Sequence, residues 1–271
     1  MKQIDPALHR ELTAVLSAAG IEDAALEAQW ILEDIPDAER ARETAVRRAK
    51  HEPLQYLLGK WEFYGLEFFV GAGALIPRAD TETLVDAVLS RVDDRAGQQI
   101  LDLCTGSGCI ALALAAHMKN TRFTGIDISQ AALGYAEKNL LNHGRSNVNF
   151  LCADVLDASV SALYHDMAAI VCNPPYLTAD DMASLQEEVR YEPETALFGG
   201  EDGLDFYRRI TAVWKQTLQP GGLLAFEAGA KQADDICAIL QENGFAGIEA
   251  VRDLNGIRRT VLGYRSLTDS E

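Results

Sequence analysis

The chain has 271 residues, of which 48% are hydrophobic and 24% charged, an ordinary composition for a soluble protein of one large or two modest domains. Its formal net charge of −17 repels phosphate backbones and therefore argues against general binding to nucleic acid. No apolar run approaches the roughly 20 residues that cross a bilayer, and residues 1–5 contain no apolar signal segment, so we expect a cytoplasmic protein that contacts no membrane.

Residues 1–60 predict a small helical domain. Apolar residues recur at helical spacing over 8–16 and again over 24–32. Gly20 ends the first helix, and Pro36-Asp37 begins the third. Because this region contains no pattern of catalytic residues, we expect it to recognise a substrate.

Residues 61–78 are rich in aromatic side chains, which favour β-strands. The aromatic residues stand on both sides of Gly65, which predicts a β-hairpin that turns near this glycine. We expect the hairpin to link the helical domain to a larger domain over residues 79–271.

Residues 79–271 alternate between strand and helix patterns. Strands are predicted over 100–104, 123–127, 148–153, 168–172 and 223–227, and helices over 110–116, 130–142, 204–218 and 233–243. Residues 248–251 and 260–264 then predict a closing strand pair across the Asn255-Gly256 turn. The alternation is typical of an α/β fold with a doubly wound, mostly parallel sheet that binds ligands at the carboxyl ends of its strands.

A glycine-rich turn joins the first of these strands to the first helix. It has the sequence Cys104-Thr105-Gly106-Ser107-Gly108. Glycine lets the backbone approach a ligand closely, and a helix N-terminus offers unpaired N–H groups to an anionic group. A tight strand–helix turn without a ligand is the alternative interpretation.

Two aspartates follow the next two strands. Asp127 stands where an acid can hold ribose hydroxyls, and Asp154 where it can accept a hydrogen bond from an adenine amino group. Asp127 could instead cap the helix that begins near Ser129, and Asp154 could be a turn residue. Taken with the glycine-rich turn, the pair favours an adenosine-containing ligand that lies across the sheet.

The motif Asn173-Pro174-Pro175-Tyr176 follows the fourth strand. The side-chain carbonyl of Asn173 and the backbone carbonyl of Pro174 can each accept one N–H of a substrate –NH2 group. A strand that merely stops at a Pro-Pro turn is the alternative. No histidine lies beside these motifs, and the five scattered cysteines, without a Cys-x-x-Cys pair, indicate reduced, buried thiols and no metal site.

These motifs together resemble those of class I S-adenosylmethionine-dependent methyltransferases, and more closely the protein-(glutamine-N5) methyltransferases of the HemK family, in its release-factor branch. The similarity covers almost the whole chain. The segments that carry it include Pro53-Leu54-Gln55-Tyr56, Leu75-Ile76-Pro77-Arg78, Thr81-Glu82, Tyr191-Glu192-Pro193, residues 199–204, Tyr207-Arg208 and Glu227-Ala228-Gly229 with Gln232.

The resemblance implies methyl transfer from S-adenosylmethionine to the glutamine of the Gly-Gly-Gln loop in peptide chain release factors, with S-adenosylhomocysteine as product. Asn173 and Pro174 would bind the substrate amide, while Pro175 and Tyr176 would shape its pocket. The remaining residues would hold the cofactor: Cys104, Thr105, Gly106, Ser107, Gly108, Asp127, Asp154 and Val155, together with Asn173. We expect a monomer that contacts release factors and no nucleic acid.

Three residues depart from the family pattern. Ala79 replaces a proline, Cys104 replaces a common glycine, and Val155 stands where some relatives place an aromatic residue against the adenine. The nearest alternative is the sister branch that modifies a large-subunit ribosomal protein. Adenine-N6 DNA methyltransferases use a similar motif, but the net charge argues against them. A cofactor-binding module without catalysis would be expected to lack Asn173.

Overall fold

The helical N-terminal part has its own apolar core. The computed structural model describes residues 4–267, and its first helices are α1 (Pro6–Ala18), α2 (Ala24–Asp34), α3 (Ala38–Arg48) and α4 (Leu54–Leu58). The side chains of Asp5 and Asp37 cap α1 and α3 by accepting backbone N–H groups. Leu12, Leu16 and Ile31 are buried in the core between the helices. The three predicted helices are confirmed, and α4 was missed because it is only five residues long.

A two-stranded hairpin follows, as predicted. It consists of β1 (Lys60–Phe63) and β2 (Leu66–Phe69), which pair antiparallel. Tyr64 and Gly65 connect the strands with φ angles of 53° and 69°, the left-handed backbone that a tight hairpin turn requires.

The remaining elements form a doubly wound α/β fold. The strands are β3 (Gln99–Leu103), β4 (Arg122–Asp127), β5 (Val148–Cys152), β6 (Met167–Cys172), β7 (Leu218–Glu227), β8 (Phe245–Arg252) and β9 (Arg258–Arg265). The helices are α5 (Glu82–Leu89), α6 (Cys109–His117), α7 (Gln130–His143), α8 (Ala158–Ser161), α9 (Ala179–Ala183), α10 (Asp205–Trp214) and α11 (Ala233–Glu242). Over the described residues this sheet has seven strands in the order β5-β4-β3-β6-β7-β9-β8.

The topology of the sheet determines where a ligand can bind. β5, β4, β3, β6 and β7 run parallel, and β9 pairs antiparallel with both β7 and β8. The chain proceeds outward from β3 through β4 to β5, and then returns to place β6 on the other side of β3. The strand order therefore reverses between β3 and β6, and a crevice opens beyond their carboxyl ends.

Apolar cores cover both faces of the sheet. Ile100 packs into one core, while its neighbours Leu101 and Leu103 pack into the other. Every residue of β6 is buried, as expected for a central parallel strand. Trp214 is fully buried in the second core, and its Nε1 donates to the Val155 carbonyl at 2.7 Å, which holds α10 against the loop after β5.

Three details of the sequence prediction were wrong. α10 ends at Trp214 rather than at 218, and β7 begins at Leu218 rather than at 223. The reason is that the strand pairs through an irregular stretch at 219–222, a Gln-Pro-Gly-Gly sequence that is typical of a turn. The cysteines are all free thiols, but the expectation of buried thiols holds only for Cys109 and Cys172; Cys104 and Cys237 are partly buried and Cys152 is exposed. Among residues 4–267, no helix is long and apolar enough to cross a membrane.

Candidate active site

A cavity of about 430 Å³ occupies the crevice beyond the carboxyl ends of the parallel strands. Its wall includes the turn after β3, the ends of β4 and β5, and Asn173 after β6. Two further segments line the cavity: 73–78 of the linker and 193–198 after the Asn-Pro-Pro-Tyr motif.

The glycine-rich turn is shaped by a buried carboxylate beneath it. Asp102 is fully buried, and its Oδ2 accepts from the Thr105 hydroxyl at 2.5 Å and from the Ala111 backbone N–H at 3.1 Å. Burial raises the pKa of Asp102 to about 7. Gly106 has a φ of 57°, and a Cβ added there would meet no atom within 4 Å, so its backbone faces open space.

Cys104 adopts a conformation that side chains rarely take. Its φ is 58°, in the left-handed region that favours glycine. Glycine has no Cβ and adopts this conformation without strain, so the backbone at Cys104 is strained where a glycine would not be. Cys104 lines the cavity with Thr105, Gly106 and Ser107, whereas Gly108, with a φ of 79°, is the N-cap residue of α6 and is not part of the wall.

Asp127 lies at the cavity wall and also orders the loops around it. Its Oδ2 accepts from the Gly106 backbone N–H and its Oδ1 from that of Ser129, both at 2.8 Å. Ser129 caps α7, so the alternative interpretation of Asp127 as the helix cap was wrong by two residues. Burial raises the pKa of Asp127, and each carboxylate oxygen keeps lone-pair capacity for a further donor.

Asp154 and Val155 form the wall at the end of β5. Asp154 Oδ1 accepts the Leu156 backbone N–H at 2.8 Å, so it is a turn residue and a wall residue at once. Val155 is buried and presents an aliphatic surface to the cavity. An aromatic side chain that the sequence prediction missed, Phe206 of α10, also lines it.

The Asn173 side chain is half-buried in the wall, and its orientation is fixed by a neighbour. Its Nδ2 donates to the Thr81 hydroxyl oxygen at 3.4 Å, which leaves Oδ1 available as an acceptor. Pro175 also lines the cavity, but Pro174 and Tyr176 do not.

The backbone of Tyr176 is held in place by the side chain of Gln232. Its backbone carbonyl accepts from Gln232 Nε2 at 2.9 Å, while Gln232 Oε1 accepts the Gly229 N–H at 3.0 Å. Burial raises the pKa of the Tyr176 hydroxyl to about 12, which keeps it protonated. Its predicted role in shaping the substrate pocket stays a prediction.

The helical part contacts the segment that follows the Asn-Pro-Pro-Tyr motif. Arg48 of α3 is buried, and its guanidinium joins Glu27 of α2 at 2.6 Å to Glu188 at 3.0 Å. The Tyr191 hydroxyl donates to the Lys50 carbonyl at 3.1 Å. These contacts connect the N-terminal helices to a segment that continues directly into the cavity wall.

The architecture and the place of the cavity are those of the class I S-adenosylmethionine-dependent methyltransferase fold. The model of the Methyltransferase small domain family matches residues 79–193. The solved hMettl16 catalytic domain has a similar fold, with a TM-score of 0.60 at 18% identity over 88% of this chain and 84% of that one. In the described region, no group of three or more His, Cys, Asp or Glu side chains could hold a metal ion.

Sequence relatives narrow the class to one family. The chain is 43% identical to the release factor glutamine methyltransferase of Thermodesulfovibrio yellowstonii, over 81% of this chain and 79% of that protein. It is 41% identical to the enzyme of the same name from Fusobacterium nucleatum over 85% of its own length, and there it spans 65% of the relative's length. The chain therefore belongs to the release factor glutamine methyltransferases.

Proposed function

We propose that the protein transfers a methyl group from S-adenosylmethionine to the side-chain amide nitrogen of the glutamine in the Gly-Gly-Gln loop of peptide chain release factors. The observation that carries this proposal is Asn173, whose amide is turned by Thr81 so that Oδ1 is free to accept at the cavity wall. The family relationship supplies the substrate class.

The cavity fits the cofactor in size and chemistry. A volume of about 430 Å³ lies in the range of small-molecule sites. The open backbone at Gly106 suits a close-lying polar chain, and Asp127 has acceptor capacity for hydroxyl groups. When bound, S-adenosylmethionine supplies an electrophilic methyl group on a sulfonium sulfur and leaves as S-adenosylhomocysteine.

The residues of the Asn-Pro-Pro-Tyr motif orient the nucleophile. An amide nitrogen is a poor nucleophile because its lone pair is delocalised into the carbonyl. We assign Asn173 Oδ1 and the Pro174 carbonyl to the two N–H groups of the substrate amide, so that the nitrogen is aligned for attack. The same two acceptors stabilise the positive charge that develops on nitrogen, which then releases one proton to solvent.

The three parts of the chain have separate roles in this proposal. Residues 1–60 dock the protein substrate, residues 61–78 link, and residues 79–271 bind the cofactor and perform the transfer. The contact of Arg48 with Glu188 supports a docking role, since it connects the helices to the segment that leads to the cavity. The cytoplasmic location and the monomeric state stay predictions.

The test is the transfer of labelled methyl groups to purified release factors. Label should enter the wild-type factor and not a variant whose loop glutamine is replaced. A large-subunit ribosomal protein and double-stranded DNA should be offered in parallel reactions. Label in either of them, with none in the release factor, would replace the proposal with the corresponding alternative.

A further inference from the structure

A buried carboxylate lies level with Asn173 on the neighbouring strand. Cys172 of β6 pairs with Phe226 of β7, so Asn173 and Glu227 are the next residues at the same edge of the sheet. The Glu227 side chain is buried, and the Tyr207 hydroxyl fixes its backbone carbonyl at 2.9 Å. No function described so far uses this carboxylate.

Thr81 connects the two residues. It is buried and lines the cavity, and its side chain is placed to donate to the Glu227 carboxylate, an interaction that acts to lower the pKa of Glu227. Its oxygen also accepts from Asn173 Nδ2 at 3.4 Å. One carboxylate oxygen of Glu227, Oε2, is buried with no hydrogen-bond partner among the described residues, so the carboxylate has room for a donor such as Thr81.

The chemistry of a hydroxyl group makes this arrangement directional. A threonine hydroxyl has a single proton and two lone pairs. When that proton is donated to a carboxylate, only lone pairs remain to face Asn173. The amide must then present its NH2 side to Thr81, and its carbonyl is directed elsewhere.

We propose that Thr81 and Glu227 are positioning residues that set the orientation of the Asn173 amide and so expose its carbonyl to the substrate. This inference rests on the proposed function, because it concerns the acceptor that holds the substrate glutamine. Neither residue touches the reacting atoms.

The chain of interactions from Glu227 through Thr81 to Asn173, here called the relay, depends on the protonation state of Glu227. Burial raises the pKa of Glu227 to about 7. Once protonated, the carboxyl group can donate to Thr81, which frees the Thr81 proton to attract Asn173 Oδ1 and turn the amide over. The charged and titratable groups that act on Glu227 or feel its charge are Arg259, Asp80, Arg78, Tyr176, Tyr207 and Cys109.

The first experiment compares Thr81→Val with Thr81→Ser. Valine keeps the shape and removes the hydroxyl, so kcat for release-factor methylation should fall at least tenfold while S-adenosylmethionine affinity by calorimetry stays within about threefold. Serine retains the hydroxyl and should keep kcat within about threefold of wild type. Equal kcat values for the two variants would overturn the relay.

The second experiment is the pH profile of kcat for wild type and Glu227→Gln. The wild-type kcat should decline as the pH falls through about 7. Glutamine cannot ionise, so the acidic limb should disappear in the variant; an unchanged limb would overturn the role of Glu227. If Thr81→Val does not fold, the pH profile of Glu227→Gln and the kcat of Thr81→Ser still test the roles of Glu227 and Thr81. A wild-type protein without activity on release factors would instead refute the proposed function.

Discussion

The carboxylate of Glu192 accepts a hydrogen bond from the Ile76 backbone N–H at 3.0 Å, across 116 residues of sequence. Its other oxygen pairs with the Arg78 guanidinium, and the Glu192 side chain is almost fully buried. Segments 73–78 and 193–198 are both walls of the cavity, so Glu192 joins one wall to the other.

We expect Glu192→Gln to weaken cofactor binding and to lower the stability of the fold. The substitution leaves the Arg78 charge without its partner, and breaking such a buried contact costs about 1–3 kcal/mol. Calorimetry should show at least a fivefold loss of S-adenosylmethionine affinity, together with a lower unfolding temperature. The matched control is Glu11→Gln, which breaks the exposed pair with Arg42 and should change neither quantity.

Asn173→Ala should reduce methyl transfer by about a hundredfold or more while leaving cofactor affinity within a few fold. The expected magnitude is that of removing one group that stabilises charge in the transition state. Single-turnover methylation and calorimetry measure the two quantities. Asn243→Ala removes an amide at the end of α11, and it should retain wild-type turnover. Wild-type turnover in Asn173→Ala would remove Asn173 from the site.

Much of the fold was predictable because its signals are local. Continuous apolar runs predicted β3, β4, β5 and β6 to within one residue, and they also placed Asp127, Asp154 and Asn173 at strand ends. The structure brings these three side chains to one cavity wall, as the parallel topology requires. Their individual roles stay predictions.

The supporting contacts could not be predicted because they depend on tertiary packing. Thr81 and Asn173 are 92 residues apart, and no local pattern distinguishes Thr81 from an ordinary residue before a helix. Glu192 reads in the sequence as an acid beside a proline, although it is buried against Arg78. No local pattern indicates that the Tyr176 carbonyl accepts from Gln232, which lies 56 residues further along the chain.

Asp127→Asn should weaken S-adenosylmethionine binding by at least tenfold. Asparagine has one acceptor oxygen instead of two, so it cannot satisfy Gly106, Ser129 and a ligand hydroxyl together. Titration calorimetry on the folded variant measures the effect. Asp166→Asn changes an exposed aspartate just before β6, at the opposite edge of the sheet, and should leave affinity unchanged. Equal affinities for the two variants would exclude Asp127 from the cofactor site.

Cys104→Gly should be more stable than Cys104→Ala by about 1 kcal/mol. Both variants lack the thiol, so the comparison reports the backbone, and a left-handed residue favours glycine over alanine. Chemical denaturation gives the difference. The same two substitutions at Cys237, within α11, should show the opposite order, because glycine destabilises a helix relative to alanine. If the alanine variant were more stable than the glycine variant at both positions, the assignment of strain to Cys104 would be contradicted.

Stability should fall as the pH rises from 5 to 8, and Asp102 should account for part of this slope. The pKa of Asp102 is about 7 in the folded protein, whereas an unperturbed aspartate has a pKa of 3.8, so between these values the folded state holds a proton that the unfolded state has released. This contribution is fully present below the unfolded pKa and is lost as the pH rises through about 7, by at most about 1.4 kcal/mol per pH unit.

Asp102→Asn cannot ionise, so its free energy of unfolding, measured by urea denaturation across this range, should depend less steeply on pH. Glu227, whose pKa is also about 7, should keep some slope in the variant. Identical slopes for wild type and Asp102→Asn would show that Asp102 does not titrate in this range.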